Sequence, residues 1–222
     1  MRDKRLPGRQ KIMAKFTVDG MERSVATVNW IFSRINVNYS PMVWWLSFGG
    51  LLGLIRDKGF LKDENGNVKE TEDLDIGIKY EDVDDTQIMS GFQKFDYTLK
   101  KKIVNDTNGN PLYYGFTHKE YCDVCVFCFR KHGNFRYHTF DVNHEGKEIP
   151  SEYVFSGVPA ESFDKTISFH WKEIGREVNL PYKYGTVLDW WYPNWLVKRE
   201  GCSASPKQIK MKSCKEWKNI KE

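Results

Sequence analysis

Apolar residues recur at three- and four-residue steps through residues 22–37 (ERSVATVNWIFSRINV), where Val25, Val28, Ile31, Phe32 and Ile35 fall on one stripe. That period predicts an amphipathic helix. The aromatic run 43–48 (VWWLSF) lies between Pro41 and Gly49-Gly50 and reads as a buried strand, after which Leu51 to Arg56 resume helical character. The order expected is strand, Gly-Gly turn, helix. The period then changes to two. Leu74, Ile76 and Ile78 point one way, and Asp73, Asp75 and Gly77 the other, so 73–78 is a strand with one apolar face and one face bearing two carboxylates. Asp63 to Gly66 marks a hairpin tip, 84–94 a short helix ahead of a further strand, and 105–111 a turn. Residues 112–117 and 121–130 read as strands, 144–147 as a hairpin, and 180–197 as a short aromatic helix on the core. Interleaved strands and helices predict an α/β (α+β) fold, a mixed sheet of about five strands with the two aspartates on a central one and helices over one face.

Composition narrows this picture. Hydrophobic residues are 40% and aromatics 15% of 222 residues, enough for a core and incompatible with a disordered chain. Five cysteines are too few, and the wrong parity, for a disulfide scaffold. No apolar run approaches the roughly 18 residues of a membrane span. The basic N-terminus is not followed by the apolar stretch of a signal peptide. These features lead to the expectation of a soluble protein of a reducing compartment, cytoplasmic as it stands, or secretory if this is a truncated or differently targeted form.

The net charge of +4 conceals a strong asymmetry. Residues 1–15 carry +5, residues 198–222 carry +5, and 63–85 carry −8. The expected organisation is a basic N-terminal arm (1–20), one folded domain (21–197) and a basic C-terminal tail (198–222). The basic ends read as solvated tails, or as contacts for an anionic surface.

Three features carry chemistry. Gly49-Gly50 before a helix lets backbone approach a ligand and aims N–H groups at an anion such as phosphate. Asp73 and Asp75 project side by side, as needed to share a divalent cation. Asp123 stands inside the apolar run 121–129, where a carboxylate must be paired, hydrogen-bonded or metal-bound. Separately each has a plain structural reading: a tight turn, an acidic edge, a residue paired with Lys or Arg. Together, in this order, they resemble the nucleotidyltransferase superfamily that includes DNA polymerase β.

A closer resemblance follows from longer motifs. Ser47-Phe48-Gly49-Gly50-Leu51-Leu52-Gly53-Leu54-Ile55-Arg56-Asp57-Lys58-Gly59-Phe60-Leu61, then Thr71-Glu72-Asp73-Leu74-Asp75-Ile76-Gly77-Ile78, and Tyr121-Cys122-Asp123-Val124 are similar to the LicD family of bacterial phosphocholine transferases and animal fukutin-related proteins. Residues 180–194 resemble its closing segment loosely. The family passes directly to Pro-Trp before its aspartates. Here Lys62 to Glu70 is inserted and Pro-Trp is missing. The resemblance implies transfer of a phospho-alcohol (phosphocholine, or ribitol or glycerol phosphate) from a CDP-activated donor to a glycan hydroxyl, with Mg²⁺ or Mn²⁺ held by Asp73, Asp75 and Asp123. Asp123 would complete the metal site or accept the proton of the attacking hydroxyl. Ser47, Gly49, Gly50, Arg56 and Lys58 are the candidates for binding the donor, Arg56 also being read as a surface ion-pair residue.

His118, Cys122, Cys125 and Cys128 stand at zinc-like intervals, but strand alternation places Cys122 and Cys128 opposite Cys125, so buried structural cysteines are favoured over one tetrahedral site. Trp190, Trp191 and Trp195 read as core. Two other functions fit these residues: a nucleotidyltransferase acting on RNA, a small molecule or a protein, and a silent binding module, against which the three retained aspartates argue.

Overall fold

Thr17 starts the first helix: its Oγ1 accepts from the Gly20 N–H at 2.8 Å, satisfying one of the donors that a helix N-terminus leaves open. The computed structural model describes residues 17–62, 65–66, 73–104, 108–138, 157–192 and 194–197. Helix α1 (Val18–Phe32) buries Val25, Val28, Ile31 and Phe32, as their spacing requires. It begins four residues before the expected span and stops early, so Ile35 enters the core from beyond the helix. The two-residue strands β1 (Asn36–Val37) and β2 (Ser40–Pro41) follow as a hairpin.

Strand β3 (Trp44–Leu46) leads into α2 (Phe48–Leu52), which widens into a π-helical turn at Gly53–Asp57. Then come β4 (Asp73–Lys79), α3 (Asp85–Gln93), β5 (Thr98–Val104), β6 (Pro111–Thr117), β7 (Asp123–His132), β8 (Phe135–Tyr137) and β9 (Val158–Pro159). A separate hairpin of β10 (Thr166–Trp171) and β11 (Arg176–Pro181) precedes α4 (Tyr184–Trp191). The expected five strands become a seven-stranded mixed sheet in the order β3-β4-β7-β6-β5, with β8 joined to β7 and β9 to β8. The aspartate strand β4 lies inside it, parallel to β7 and antiparallel to β3.

One face of the sheet presents Leu74, Ile76, Val124, Val126, Tyr114 and Phe116, all buried. Helix α3 lays Phe92 flat on Phe116 (4.0 Å between ring centroids) and edge-on to Phe32 of α1 at 6.4 Å. The other face carries aspartates at one end and aromatics at the other. There Phe127 and Phe129 pack against Phe48 of α2, and Trp191 of α4 stacks on Phe48 at 4.5 Å. Helices therefore flank both faces rather than one, because the aromatic half of the second face also needs cover. Trp190 and Trp195 pack on the rim of this core, and Trp191 lies within it. The anticipated arm (1–16 of it), tail and 144–147 hairpin lie outside the described residues, as do Cys202 and Cys214. No helix among the described residues is long and apolar enough to cross a membrane.

His138 lies among these rings, with Phe48 at 4.8 Å, Phe129 at 5.0 Å and Phe127 at 5.5 Å. Burial pushes its pKa down to about 3 from 6.5. The fold keeps the ring neutral while the unfolded chain takes up a proton below 6.5, so this contribution is complete above pH 6.5 and declines as the pH falls from there toward 3. The expected slope is about 1.4 kcal/mol per pH unit. Urea unfolding of His138→Phe across that window should show a flatter acid limb than the parent.

Candidate active site

The strand-to-helix junction differs from a Gly-Gly turn. Ser47 is still extended (φ −122°, ψ 166°), and its N–H donates to the Asp75 carbonyl at 2.9 Å. Phe48 then takes a positive φ of 46° and opens α2. A bulky residue adopts that conformation only where its surroundings hold it, and here the ring is 5% exposed among Phe127 and Trp191. Gly49 and Gly50 therefore sit inside the first helical turn, where backbone N–H groups lack helical acceptors. A Cβ on Gly50 would come within 2.9 Å of Leu46 Cδ1, whereas one on Gly49 would meet nothing nearer than 3.9 Å.

This turn forms one wall of a small cleft, open in part to solvent, that Asp73 and Asp75 also line. Gly59, Phe60, Leu61 and Trp171 form the opposite wall. That wall is placed by Gly53, whose Cβ, if it had one, would fall 2.4 Å from the Leu61 nitrogen. Lys58 ends the helix in a left-handed conformation (φ 63°), and the Gly59 N–H returns to the Gly53 carbonyl at 3.3 Å.

A buried ion pair secures the same wall. Arg56 Nε and Nη2 donate to the two Asp57 oxygens at 3.1 and 2.9 Å, and the Lys62 N–H donates to Asp57 Oδ2 at 2.9 Å. The Arg56 and Asp57 side chains are 5% and 0% exposed. Arg56 is thus engaged within the loop and is not among the cleft-lining residues. Lys58 is exposed, its Nζ 3.4 Å from the Ile55 carbonyl. Ser47 is fully buried beside the cleft, and its Oγ has no hydrogen-bond partner among the described residues.

Strand pairing brings the acidic residues together. Parallel register sets Asp73 opposite Asp123 and Asp75 opposite Cys125. Ligand atoms of Asp73, Asp75 and Cys125 all lie within 4.8 Å of one another. Asp123 is outside that group: Thr117 Oγ1 donates to its Oδ1 at 2.7 Å, and Lys100 Nζ is 3.9 Å from Oδ2. Burial, with the Asp73 charge adding to it, holds the Asp75 carboxyl well above the usual carboxylate range. A cation between the two would remove that penalty, and their oxygen donors suit Mg²⁺ or Mn²⁺. On the sheet beyond, the Tyr113 hydroxyl is 3.0 Å from Cys125 Sγ.

The remaining zinc-spaced residues do not gather here. Cys122 and Cys128 are buried on the apolar face, and His118 Nδ1 accepts the Glu120 and Tyr121 N–H groups at 3.0 Å each. Tyr113 and Asp57 are site components that motif reading passed over, and Cys125, weighed there only among the zinc-spaced residues, is a third. The signal for Cys125 was its place on the Asp123 side of the strand alternation.

A mixed sheet flanked by helices, with two aspartates on an interior strand beside a glycine-bearing helix start, defines a nucleotidyltransferase-type domain. The family model described as LicD/FKTN/FKRP, nucleotidyltransferase domain, matches residues 42–168, more than half of the chain, and the chain belongs to this family. No curated protein matches it. Among eleven matching chains of solved structure is the lincosamide antibiotic adenylyltransferase LnuA in its lincomycin-bound form, with 15% identity over 77% of this chain and 85% of that one, and a TM-score of 0.41.

The ion pair generates a direct expectation. Asp57→Ala takes the carboxylate away from a buried guanidinium, at a cost of about 3–5 kcal/mol. A urea midpoint near the parental value would show that Asp57 does not hold the 58–62 wall.

Proposed function

We propose that this protein transfers a phospho-alcohol from a CDP-activated donor to a glycan hydroxyl. The observation that carries the reading is the pair Asp73 and Asp75 lining a cleft walled by Gly49 and Gly50, in a chain of the LicD/FKTN/FKRP family. The N–H groups of the first turn of α2 receive the donor diphosphate, and Gly49 lets it approach the backbone closely. Asp73 and Asp75 hold the divalent cation, Mg²⁺ or Mn²⁺, which supplies charge neutralisation for the diphosphate and for departing CMP.

Asp123 lies at the same end of the sheet, next in register to Asp73. It accepts the proton of the attacking hydroxyl. The acceptor oxygen forms a bond to the phosphorus bearing the alcohol, the bond from that phosphorus to the CMP oxygen breaks, and CMP leaves with the electron pair. Thr117 and Lys100 keep the Asp123 carboxylate in place. Arg56 and Asp57 act indirectly, by fixing the wall opposite the glycines.

Purified protein incubated with CDP-choline, CDP-ribitol or CDP-glycerol, Mg²⁺ or Mn²⁺ and a glycan mixture should release CMP and label the glycan with the alcohol phosphate. Label incorporated from CTP or ATP instead would establish nucleotide transfer and overturn the reading. Asp75→Asn should abolish turnover while leaving the metal-free protein at least as stable, since it removes a carboxyl that burial and the neighbouring Asp73 charge both disfavour as the anion. Gly49→Val should weaken donor binding in a thermal-shift titration with little effect on the fold, its Cβ having ordinary space. Gly50→Val is the less discriminating variant because it also pushes on Leu46. Undiminished donor binding by Gly49→Val would place the diphosphate elsewhere.

A further inference from the structure

Cys125 is surplus to the function proposed above, yet it stands next to both aspartates of the site. Two carboxylate oxygens, from Asp73 and Asp75, and the sulfur of Cys125 come within 4.8 Å of one another. Ligands at about 2.0–2.3 Å from a shared ion, at the angles three of them adopt, lie about 3–4 Å apart, so closing this group on a cation needs side-chain shifts on the order of an ångström. The parallel pairing of Asp75 with Cys125 holds the group in register.

A second observation points to the same place from another strand. Trp45 pairs with Gly77, and its indole covers that glycine so closely that a Cβ there would lie 2.3 Å from Nε1. Trp45 therefore lies on the face that carries Asp73 and Asp75. Ser47, two residues on and still extended, projects to that face directly across from Asp75, whose carbonyl its N–H engages. Its hydroxyl is fully buried and has no partner among the described residues. A buried hydroxyl left unsatisfied is costly, and an ion or its bound water beside Asp75 would satisfy it.

We propose that the divalent cation of this site is held by Asp73, Asp75 and the sulfur of Cys125, with the Ser47 hydroxyl facing it, and that the sulfur makes the site select thiophilic transition cations (Mn²⁺, Co²⁺, Zn²⁺) over Mg²⁺. Thiolate ligands favour such cations, whereas carboxylate and water alone suit Mg²⁺. On binding, the sulfur forms a bond to the cation and its proton goes to solvent. The Tyr113 hydroxyl, 3.0 Å from the sulfur, then donates to the thiolate and orients its lone pairs. This inference rests on the proposed metal-dependent transfer, but concerns only which atoms hold the ion.

The test is direct binding rather than turnover. Titration with Cd²⁺, a spectroscopic stand-in for these cations, should produce a thiolate-to-metal charge-transfer band that saturates at one equivalent. The band should persist in the Cys202→Ser/Cys214→Ser double variant and vanish in Cys125→Ser. Competition between Zn²⁺ and Mg²⁺ should show the preference for Zn²⁺ falling on the order of 10- to 100-fold in Cys125→Ser. A measurement on the unaltered chain guards against a misfolded variant: saturating Zn²⁺ should protect Cys125 from alkylation, mapped by peptide mass spectrometry.

Cation binding that leaves Cys125 equally alkylated, or a band that survives Cys125→Ser, overturns the sulfur ligand and leaves the metal-dependent transfer standing. Absence of binding by any divalent cation, Mg²⁺ and Mn²⁺ included, overturns both.

Discussion

The parallel pairing of β4 with β7 is the constraint on which the site depends. Two parallel neighbours cannot be joined by a tight turn, so the chain must leave the end of β4 and return to the start of β7. It does so through α3 and the antiparallel pair of β5 and β6. The consequence is that both strands begin at the same end of the sheet, and their opening residues, Asp73 and Asp123, fall opposite each other. Residues some fifty positions apart thus share one face and one edge of the domain. An antiparallel arrangement would have sent one carboxylate to the far end, beneath the aromatic cluster of Phe48, Phe129 and Trp191.

That cluster and the acidic edge divide one sheet face between them. The aromatic half supplies burial, and with it the force that holds Phe48 at a positive φ. Phe48 in turn sets the direction in which α2 departs from β3, and so the position of Gly49 and Gly50 above Asp75. The opposite wall has a different basis. It depends on the missing side chain of Gly53 and on the Arg56–Asp57 pair. Apolar packing fixes one side of the cleft and a desolvated ion pair the other.

Much of this was legible in the sequence, for reasons that can be stated residue by residue. Period-two alternation at 73–78 identifies β4 and the direction of its carboxylates, and the three- and four-residue spacing from Val25 to Phe32 identifies α1. Motif order identifies the family. What escaped lies where local pattern and tertiary context part. The Gly-Gly pair reads as a turn because glycine commonly makes turns, whereas the turn is made by Phe48, held by packing that local sequence does not display. On β10, Ser168, Phe169 and His170 are exposed in succession, which removes the alternation by which the β10–β11 hairpin could be read. Arg56 looks like a phosphate ligand until the buried carboxylate beside it is seen. Cys125 could be assigned to the carboxylate side of its strand, but its proximity to Asp75 required the register of β4 on β7.

Strand β5 has a bearing on the behaviour of the protein in solution. It ends the sheet order among the described residues, so one row of its backbone donors and acceptors has no neighbouring strand there. A bare row of that kind is a template on which another chain can add a strand. Three consecutive lysines, Lys100, Lys101 and Lys102, occupy its middle, with a break in the pairing register between Leu99 and Lys101. A second molecule docking edge to edge would bring two such triplets together at the spacing of adjacent strands, where like charges repel. The triplet, whose Lys100 stands 3.9 Å from Asp123, thus also opposes aggregation along the sheet edge.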